Sequence, residues 1–342
     1  MSLSSQSHSQ SQGNEKDRKM EVEEEEEKYA KARRQSRGGL LVVVAILVVC
    51  AGLASYLRHN KRKQSRPQAG GSPSLRQNDE LGFTPPAKKK TKSIAKLQDQ
   101  VVALDEVVRD IKSQVDIFET DKTAQKAAKQ LQDATRELLV AMYGAREPYR
   151  VHVELEFQPT IPDFAEKGKD GHFVIELAPS RLVPHSVYTF LEIARQWNLN
   201  GGAFHRIAGH VLQVMVKTRK IKHLAFQEYS PEYPHKERTV GYAGRPSGPA
   251  WYVSIQDNSR NHGPGSQQKH NPYEADAAIG RVIEGYEESV LRITKVPGSG
   301  FLGDTKKHVI IKSMTIMVPD SNSNEDDEYV KWIEPKEIMS SG

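Results

Sequence analysis

The chain has 342 residues, a formal net charge of +5 and a mean hydropathy of −0.64. This length allows one or two domains with cores of their own. The single cysteine, Cys50, excludes an intrachain disulfide and a zinc site built from several thiolates. Charges of both signs occur in blocks, and the Lys/Arg clusters lack the interleaved aromatic side chains that are typical of nucleic-acid binding, so we expect no nucleic-acid partner.

The first segment, 1–37, is rich in Ser and Gln and then highly charged. We predict that it is disordered, because it has too little apolar surface to offset the entropy lost on ordering. The next segment, 38–58, contains the uncharged apolar run 40–57. As a helix at ~1.5 Å per residue, this run is roughly 27 Å long, close to the ~30 Å hydrocarbon core of a bilayer. It therefore predicts a single transmembrane helix.

A cleaved signal peptide is the alternative for this segment, because Gly52-Leu53-Ala54 resembles a cleavage site. The long, partly acidic region before it favours the membrane anchor. Five Lys/Arg lie in residues 28–37 and five in 58–66, so the positive-inside rule does not set the orientation. The short N-terminal tail favours a single-pass type II arrangement, with the C-terminal domain on the luminal side of the endomembrane system. Residues 59–93, which contain Pro, Gly-Gly and Lys runs, predict a flexible basic stem.

The segment 94–145 has an apolar pattern with alternating spacings of three and four, which predicts a coiled coil. The first seam consists of Ile94, Leu97, Val101, Leu104, Val108, Ile111, Val115 and Phe118. The pattern restarts in another phase from Ala127, as a stutter or a helical hairpin would. We predict that this stem self-associates into a homo-oligomer. The alternative is an amphipathic helix packed on its own domain.

Beyond residue 148 the pattern changes to short strands with only two helices. Alternating apolar and polar residues at 151–157 and 171–177 predict half-buried strands, and Pro184 begins a helix. Further strands are predicted at 203–207, 211–217, 238–243, 251–255, 277–283 and 308–318, with a second helix over 287–296. This pattern predicts a mainly β domain, a closed antiparallel barrel, over 149–318. We predict that the first part of the acidic tail, 319–342, is disordered.

Five segments of this domain stand in the order that is typical of one family. They are Gly171–Leu177, Val183–Leu191, Phe204–Ile207 with Gln213, Val240–Ala243 followed by Trp251–Ile255, and Ile279–Gly285. Together they resemble the cyclophilin-type peptidyl-prolyl cis-trans isomerases. The resemblance implies a closed eight-stranded antiparallel barrel with two helices, in agreement with the predicted strands.

The resemblance also implies a chemistry. Rotation about an Xaa–Pro bond must break amide resonance, with a barrier near ~20 kcal/mol. An arginine that donates to the proline nitrogen lowers this barrier and stays protonated while it does so. Such a site needs no cofactor, metal or covalent intermediate. The resemblance assigns the catalytic role to Arg206 and the anchoring of the substrate carbonyl to Gln213, and it places the following further residues at the proline-containing substrate: His205, His210, Ala243, Ala250, Trp251 and Tyr252.

The chain departs from the family at several of these positions. His210-Val211 replace a Phe-Met pair, and Pro249–Tyr252 lacks a glutamine that contacts the peptide. Near the next loop, Asn271, Pro272 and Asp276 replace the family's Trp/Leu and His. Residues 258–265 form a turn-rich loop that we interpret as a connector beside the groove.

Three functions follow as alternatives. The first is a membrane-anchored prolyl isomerase that assists protein folding with weak or narrow activity. The second is a catalytically inactive module that binds extended, proline-containing segments in the same groove. The third is a luminal glycosyltransferase, which the layout of tail, anchor, stem and C-terminal domain would fit. The domain contains no Asp-x-Asp metal motif and is short for a sugar-nucleotide fold, which disfavours the third.

Overall fold

The structure is a computed structural model that describes residues 93–217, 220–245, 247–266, 270–321, 323 and 328–334. The predicted tail, membrane helix and nearly all of the basic stem lie outside these residues, as do 324–327 and 335–342 of the acidic tail. Within the described ranges, no helix is both long enough and apolar enough to cross a membrane.

In the part of the chain that the structure describes, two helices precede the barrel and pack against each other. Helix α1 (Ile94–Lys112) begins at Ser93, whose hydroxyl accepts a hydrogen bond from the Lys96 amide. Helix α2 (Lys122–Tyr143) begins at Asp121, whose carboxylate accepts from the Ala124 amide at 2.8 Å. Both are residue types that satisfy the free amides of a helix N-terminus. The pair forms a helical hairpin with a short turn at Phe118–Thr120 between the helices.

This helical hairpin is packed on the barrel domain. Phe118 stacks on Phe226 with ring centroids 5.5 Å apart, and Gln132 donates to the Glu228 carboxylate at 2.9 Å. The seam residues Leu97, Val101 and Val108 are buried within this one chain. The heptad pattern therefore marks helices packed on their own domain, the alternative that the sequence had left open. Self-association through 94–145 stays a prediction.

Eight strands form the barrel, and two short strands extend it. Their bounds are β1 (Arg150–Glu156), β2 (Asp170–Leu177), β3 (Gly202–Ile207), β4 (Val211–Val216), β5 (Thr239–Tyr242), β6 (Trp251–Ser254), β7 (Ala278–Glu284), β8 (Gly300–Phe301), β9 (Val309–Pro319) and β10 (Tyr329–Lys331). The antiparallel order β9-β1-β2-β7-β5-β6-β4-β3 closes on itself because β9 also pairs with β3. The predicted closed eight-stranded antiparallel barrel is confirmed.

Two further helical segments belong to the barrel, as predicted. Helix α3 (Pro184–Arg195) begins with proline, whose missing amide costs nothing at a first turn. Its apolar face is buried, and Phe190 meets the ring of Trp251 edge-on at 5.5 Å. The second is a turn of π-helix, Tyr286–Val290, followed by Leu291–Ile293. Shorter helical turns lie at Phe164–Lys167, Trp197–Asn200, Ser259–His262 and Thr305–Lys307.

The chain after the barrel returns to the helical hairpin. Strand β10 pairs with β9, and the indole of Trp332 donates to the Met142 carbonyl at 2.9 Å. The Trp332 ring lies 4.9 Å from that of Tyr143, at the end of α2. Residues 329–334, which fall in the predicted acidic tail, thus form a C-terminal strap across the end of α2.

Candidate binding face of the barrel

A β-bulge in β3 decides where Arg206 points. Phe204 pairs with Val214 and Arg206 with Gln213, so His205 is the extra residue of the bulged strand. Strand residues alternate between faces, and without the bulge Arg206 would share the inner face with Phe204. With it, Arg206 and Gln213 lie side by side on the outer face. The bulge at His205 therefore brings Arg206 and Gln213 onto the same face of the sheet.

The outer face carries a row of side chains across four strands. Arg206 pairs with Gln213, Gln213 with Tyr252, and Tyr252 with Gly241. A guanidinium nitrogen of Arg206 donates to Oε1 of Gln213 at 2.9 Å. On the other side of Arg206, the ring of Phe301 on β8 lies 4.8 Å from the guanidinium, and Phe301 is 67% exposed. Three of the predicted site residues, Arg206, Gln213 and Tyr252, are thus brought together.

Tyr252 lies flat against the sheet and is covered. A side chain at Gly241 would come within 2.7 Å of the Tyr252 ring, so only glycine leaves room for it there. On its outer side the Tyr252 ring stacks on His262, with centroids 4.7 Å apart. Only 2% of Tyr252 is exposed. Tyr252, which the resemblance places at the substrate, is therefore covered by another side chain of this chain.

A buried charge network holds His262 in place. The carboxylate of Asp276 accepts from Nδ1 of His262 at 2.5 Å and from Nε of Arg245 at 2.8 Å. The Tyr252 hydroxyl lies 3.3 Å from Nδ1 of His235, whose Nε2 donates to the Asp276 carbonyl at 2.9 Å. Burial lowers the pKa of His235 to about 4, and burial, together with the charge of Asp276, raises the pKa of Tyr252 well above its ordinary value. This network keeps Tyr252 uncharged and holds the His262 ring in place over it.

Trp251, which the resemblance places at the substrate, lies inside the barrel. Neighbouring residues of a strand face opposite sides, so Trp251 and Tyr252 cannot both lie on the outer face. Trp251 is 0% exposed and meets the ring of Phe204 edge-on, 5.8 Å away, inside the barrel. Its role in this structure is to fill the core.

The other predicted residues border the row. His210 lies in the turn after β3, and its ring stacks on His262 at 5.4 Å. Ala243 and Ala250 are half-buried and joined by a backbone hydrogen bond of 2.9 Å. His205 turns toward Phe301, with ring centroids 5.5 Å apart. The sequence predicted only a connector for the loop that contains His262. For Trp251 and Tyr252, the alternation of strand residues could have shown that the two side chains face opposite sides of the sheet.

Burial lowers the pKa of two imidazoles beside the row. Burial lowers the pKa of His210, and the neighbouring His262 and the charge of Arg206 lower it further. Burial also lowers the pKa of His205, with smaller contributions from His308 and Arg206. Across the residues that the structure describes, no three His, Cys, Asp or Glu side chains are arranged to share a metal ion. The arrangement is suited to binding a polar chain through Arg206 and Gln213.

No protein-family model matches the chain. No curated protein matches it.

Proposed function

We propose that this chain is a divergent cyclophilin-like module that binds an extended polypeptide segment on the outer face of β3, β4 and β6 without isomerising it. The observation that carries the proposal is the His262 ring stacked on Tyr252. Isomerisation needs a site that grips the proline ring while the arginine acts on its nitrogen. Here that grip is replaced by the chain's own imidazole, whereas Arg206 and Gln213 stay half-buried and accessible.

A second candidate is a prolyl isomerase of weak or narrow activity that assists protein folding. It is favoured by the 2.9 Å contact between Arg206 and Gln213, because the resemblance assigns catalysis to the first and carbonyl anchoring to the second. For this function, His262 would have to move away from Tyr252. In both candidates, the apolar run at 40–57 tethers the module to a membrane as a single-pass anchor, and the luminal orientation belongs to the proposal.

One experiment separates the two candidates. The purified full chain is tested for binding of a short Xaa–Pro peptide and for acceleration of its isomerisation. Binding without turnover supports the module. Turnover above the uncatalysed rate that Arg206→Ala abolishes supports the isomerase, and turnover that Arg206→Ala leaves unchanged would remove Arg206 from the mechanism. If the chain neither binds the peptide nor accelerates its isomerisation, both candidates are overturned.

The role of His262 has its own test. In His262→Ala the cover of Tyr252 is lost, so we expect proline-containing peptides to bind more tightly than they do to the unmodified chain. His270→Ala is the matched control, because His270 is an exposed imidazole of a neighbouring loop. Unchanged peptide affinity in His262→Ala would show that the imidazole does not occupy a proline site.

A further inference from the structure

We infer that the segment bound on this face is acidic, and that Arg206 receives a carboxylate side chain of that segment. The inference rests on the proposed function and goes beyond it by naming the chemistry of the ligand. An arginine can hold a neutral peptide carbonyl or a carboxylate, and the two differ in charge. The surroundings of Arg206 decide between them.

Arg206 lacks the partner that comparable arginines have. It forms no ion pair with a carboxylate of the described residues, and its guanidinium donates to the neutral amide of Gln213. Five other arginines with mostly buried side chains are each paired with a carboxylate: Arg109 with Asp105, Arg150 with Glu176, Arg195 with Glu192, Arg245 with Asp276, and Arg292 with Asp163. A half-buried charge without a counter-ion is costly, and this cost is relieved when a ligand supplies one.

The neighbours of Arg206 do not neutralise it. The groups beside it include the amide of Gln213, the ring of Phe301 and the imidazole of the adjacent residue His205, and none of these three carries a negative charge. The carboxylate that lies further along the row, on Asp276, is already engaged by Arg245 and His262. The face around Arg206 is therefore neutral to positive, and its charge complements an acidic ligand.

Among the described residues, the guanidinium of Arg206 also has an unpaired donor. Nε of Arg206 is buried and has no hydrogen-bond partner within the described part of the chain. A carboxylate that accepts from this guanidinium forms charge-assisted hydrogen bonds, which are stronger than those to a neutral carbonyl. Phe301, 67% exposed on the other side of Arg206, offers an apolar surface for the rest of the segment.

The first test compares two peptides that differ in one side-chain group. One has Glu before Pro, and the other has the neutral Gln in its place. We expect the Glu peptide to bind the full chain about tenfold more tightly at low ionic strength, with the ratio falling as salt is added. Arg206→Gln should bring the ratio to about one, whereas Arg206→Lys should keep part of it. Arg281→Gln is the matched control, because Arg281 is exposed on β7, a strand that pairs with neither β3 nor β4. A ratio near one in the unmodified chain, or a ratio unchanged by Arg206→Gln, overturns the inference.

The second test does not depend on peptide binding. Inorganic phosphate is titrated into the full chain while the ring resonances of His205 and His210 are followed by NMR. We expect a saturable shift that is absent from Arg206→Gln and present in Arg281→Gln. If phosphate binds in this way but neither peptide does, the anion site stands and the proposed function fails. If both peptides bind equally and phosphate causes no such shift, the proposed function stands and the inference fails.

Discussion

Glu228 is a buried carboxyl that links the helical hairpin to the barrel domain. Its carboxylate is 2% exposed and joins three elements by accepting from the Ser186 amide at 2.7 Å, from Gln132 at 2.9 Å and from the His185 amide at 3.4 Å. These donors favour the charged form, but burial outweighs them and raises the pKa of Glu228 from 4.5 to about 7. The folded protein therefore holds this proton more tightly than the unfolded chain does.

The sign of the pH dependence follows from that difference. A carboxyl whose pKa is raised on folding stabilises the protein below its unfolded pKa, and this stabilisation is lost as the pH rises from 4.5 to about 7. One pKa unit corresponds to about 1.4 kcal/mol, so the full loss is ~3 kcal/mol. In Glu228→Gln the side chain is neutral at every pH. We expect this variant to be more stable than the unmodified chain by ~1 kcal/mol at pH 5 and by ~3 kcal/mol at pH 8.

Urea unfolding measures this difference. All three tryptophans, Trp197, Trp251 and Trp332, lie in the described domain, so their fluorescence reports its unfolding. Burial lowers the pKa of the nearby His185 to about 4, but that titration is present in both chains and cancels in the comparison. Glu166→Gln, at an exposed carboxylate, is the control. A difference in stability that does not change with pH, or a less stable variant at pH 8, would refute the assignment of burial as the dominant effect.

Three further predictions concern the packing of the domain. Gly202→Ala should destabilise it by about 3 kcal/mol in urea unfolding, because the new methyl group would meet the Met215 carbonyl oxygen and the indole of Trp197. Trp332→Ala should lower the free energy of unfolding by about 2 kcal/mol, because it removes the hydrogen bond to Met142 and the ring contact at the end of α2. Urea unfolding followed by circular dichroism measures this loss. His235→Gln should flatten the loss of stability between pH 6.5 and pH 4, because burial holds the pKa of the folded histidine at about 4 while the unfolded histidine takes up its proton.

Each of these predictions has a matched comparison. Gly209→Ala should be nearly neutral, because nothing lies within 4 Å of the added methyl group. Trp332→Phe keeps an aromatic ring on the strap and should cost less than Trp332→Ala. An equal cost for both tryptophan variants would mean that the ring contact contributes nothing. A pH profile that His235→Gln leaves unchanged would mean that His235 titrates alike in the folded and unfolded chains.

The barrel could be predicted because its strands carry their own signal. The alternation in β1 and β2 places Val151, Val153, Phe173 and Ile175 on the buried face, and period-two burial follows from strand geometry alone. The helical hairpin was harder to predict, since a heptad seam buries equally well against a second chain or against its own domain. Phe226, against which Phe118 packs, lies in a loop more than one hundred residues away, with no pattern that links the two.

The candidate site likewise contains residues that the sequence could predict and residues that it could not. The resemblance assigned Arg206 and Gln213 to one site, and the structure joins their side chains by a hydrogen bond. His262 covers Tyr252 from a loop of polar and small residues, in which periodicity carries no information. Trp251 and Tyr252 belong to one motif of the family, but neighbouring residues of a strand face opposite sides of the sheet, and a motif alone does not show this.

The closure of the barrel by β9 has a consequence for the nascent chain. Strand β1 has β9 as one of its two partners, and β9 ends at Pro319. On the ribosome, the first strand therefore keeps an open edge through nearly the whole synthesis of the domain, and an open edge is where chains aggregate. Contacts of such long sequence separation also slow folding. A chain that is cut short before β9 would lack the strand that joins β1 to β3, and its exposed edges would be substrates for holding chaperones.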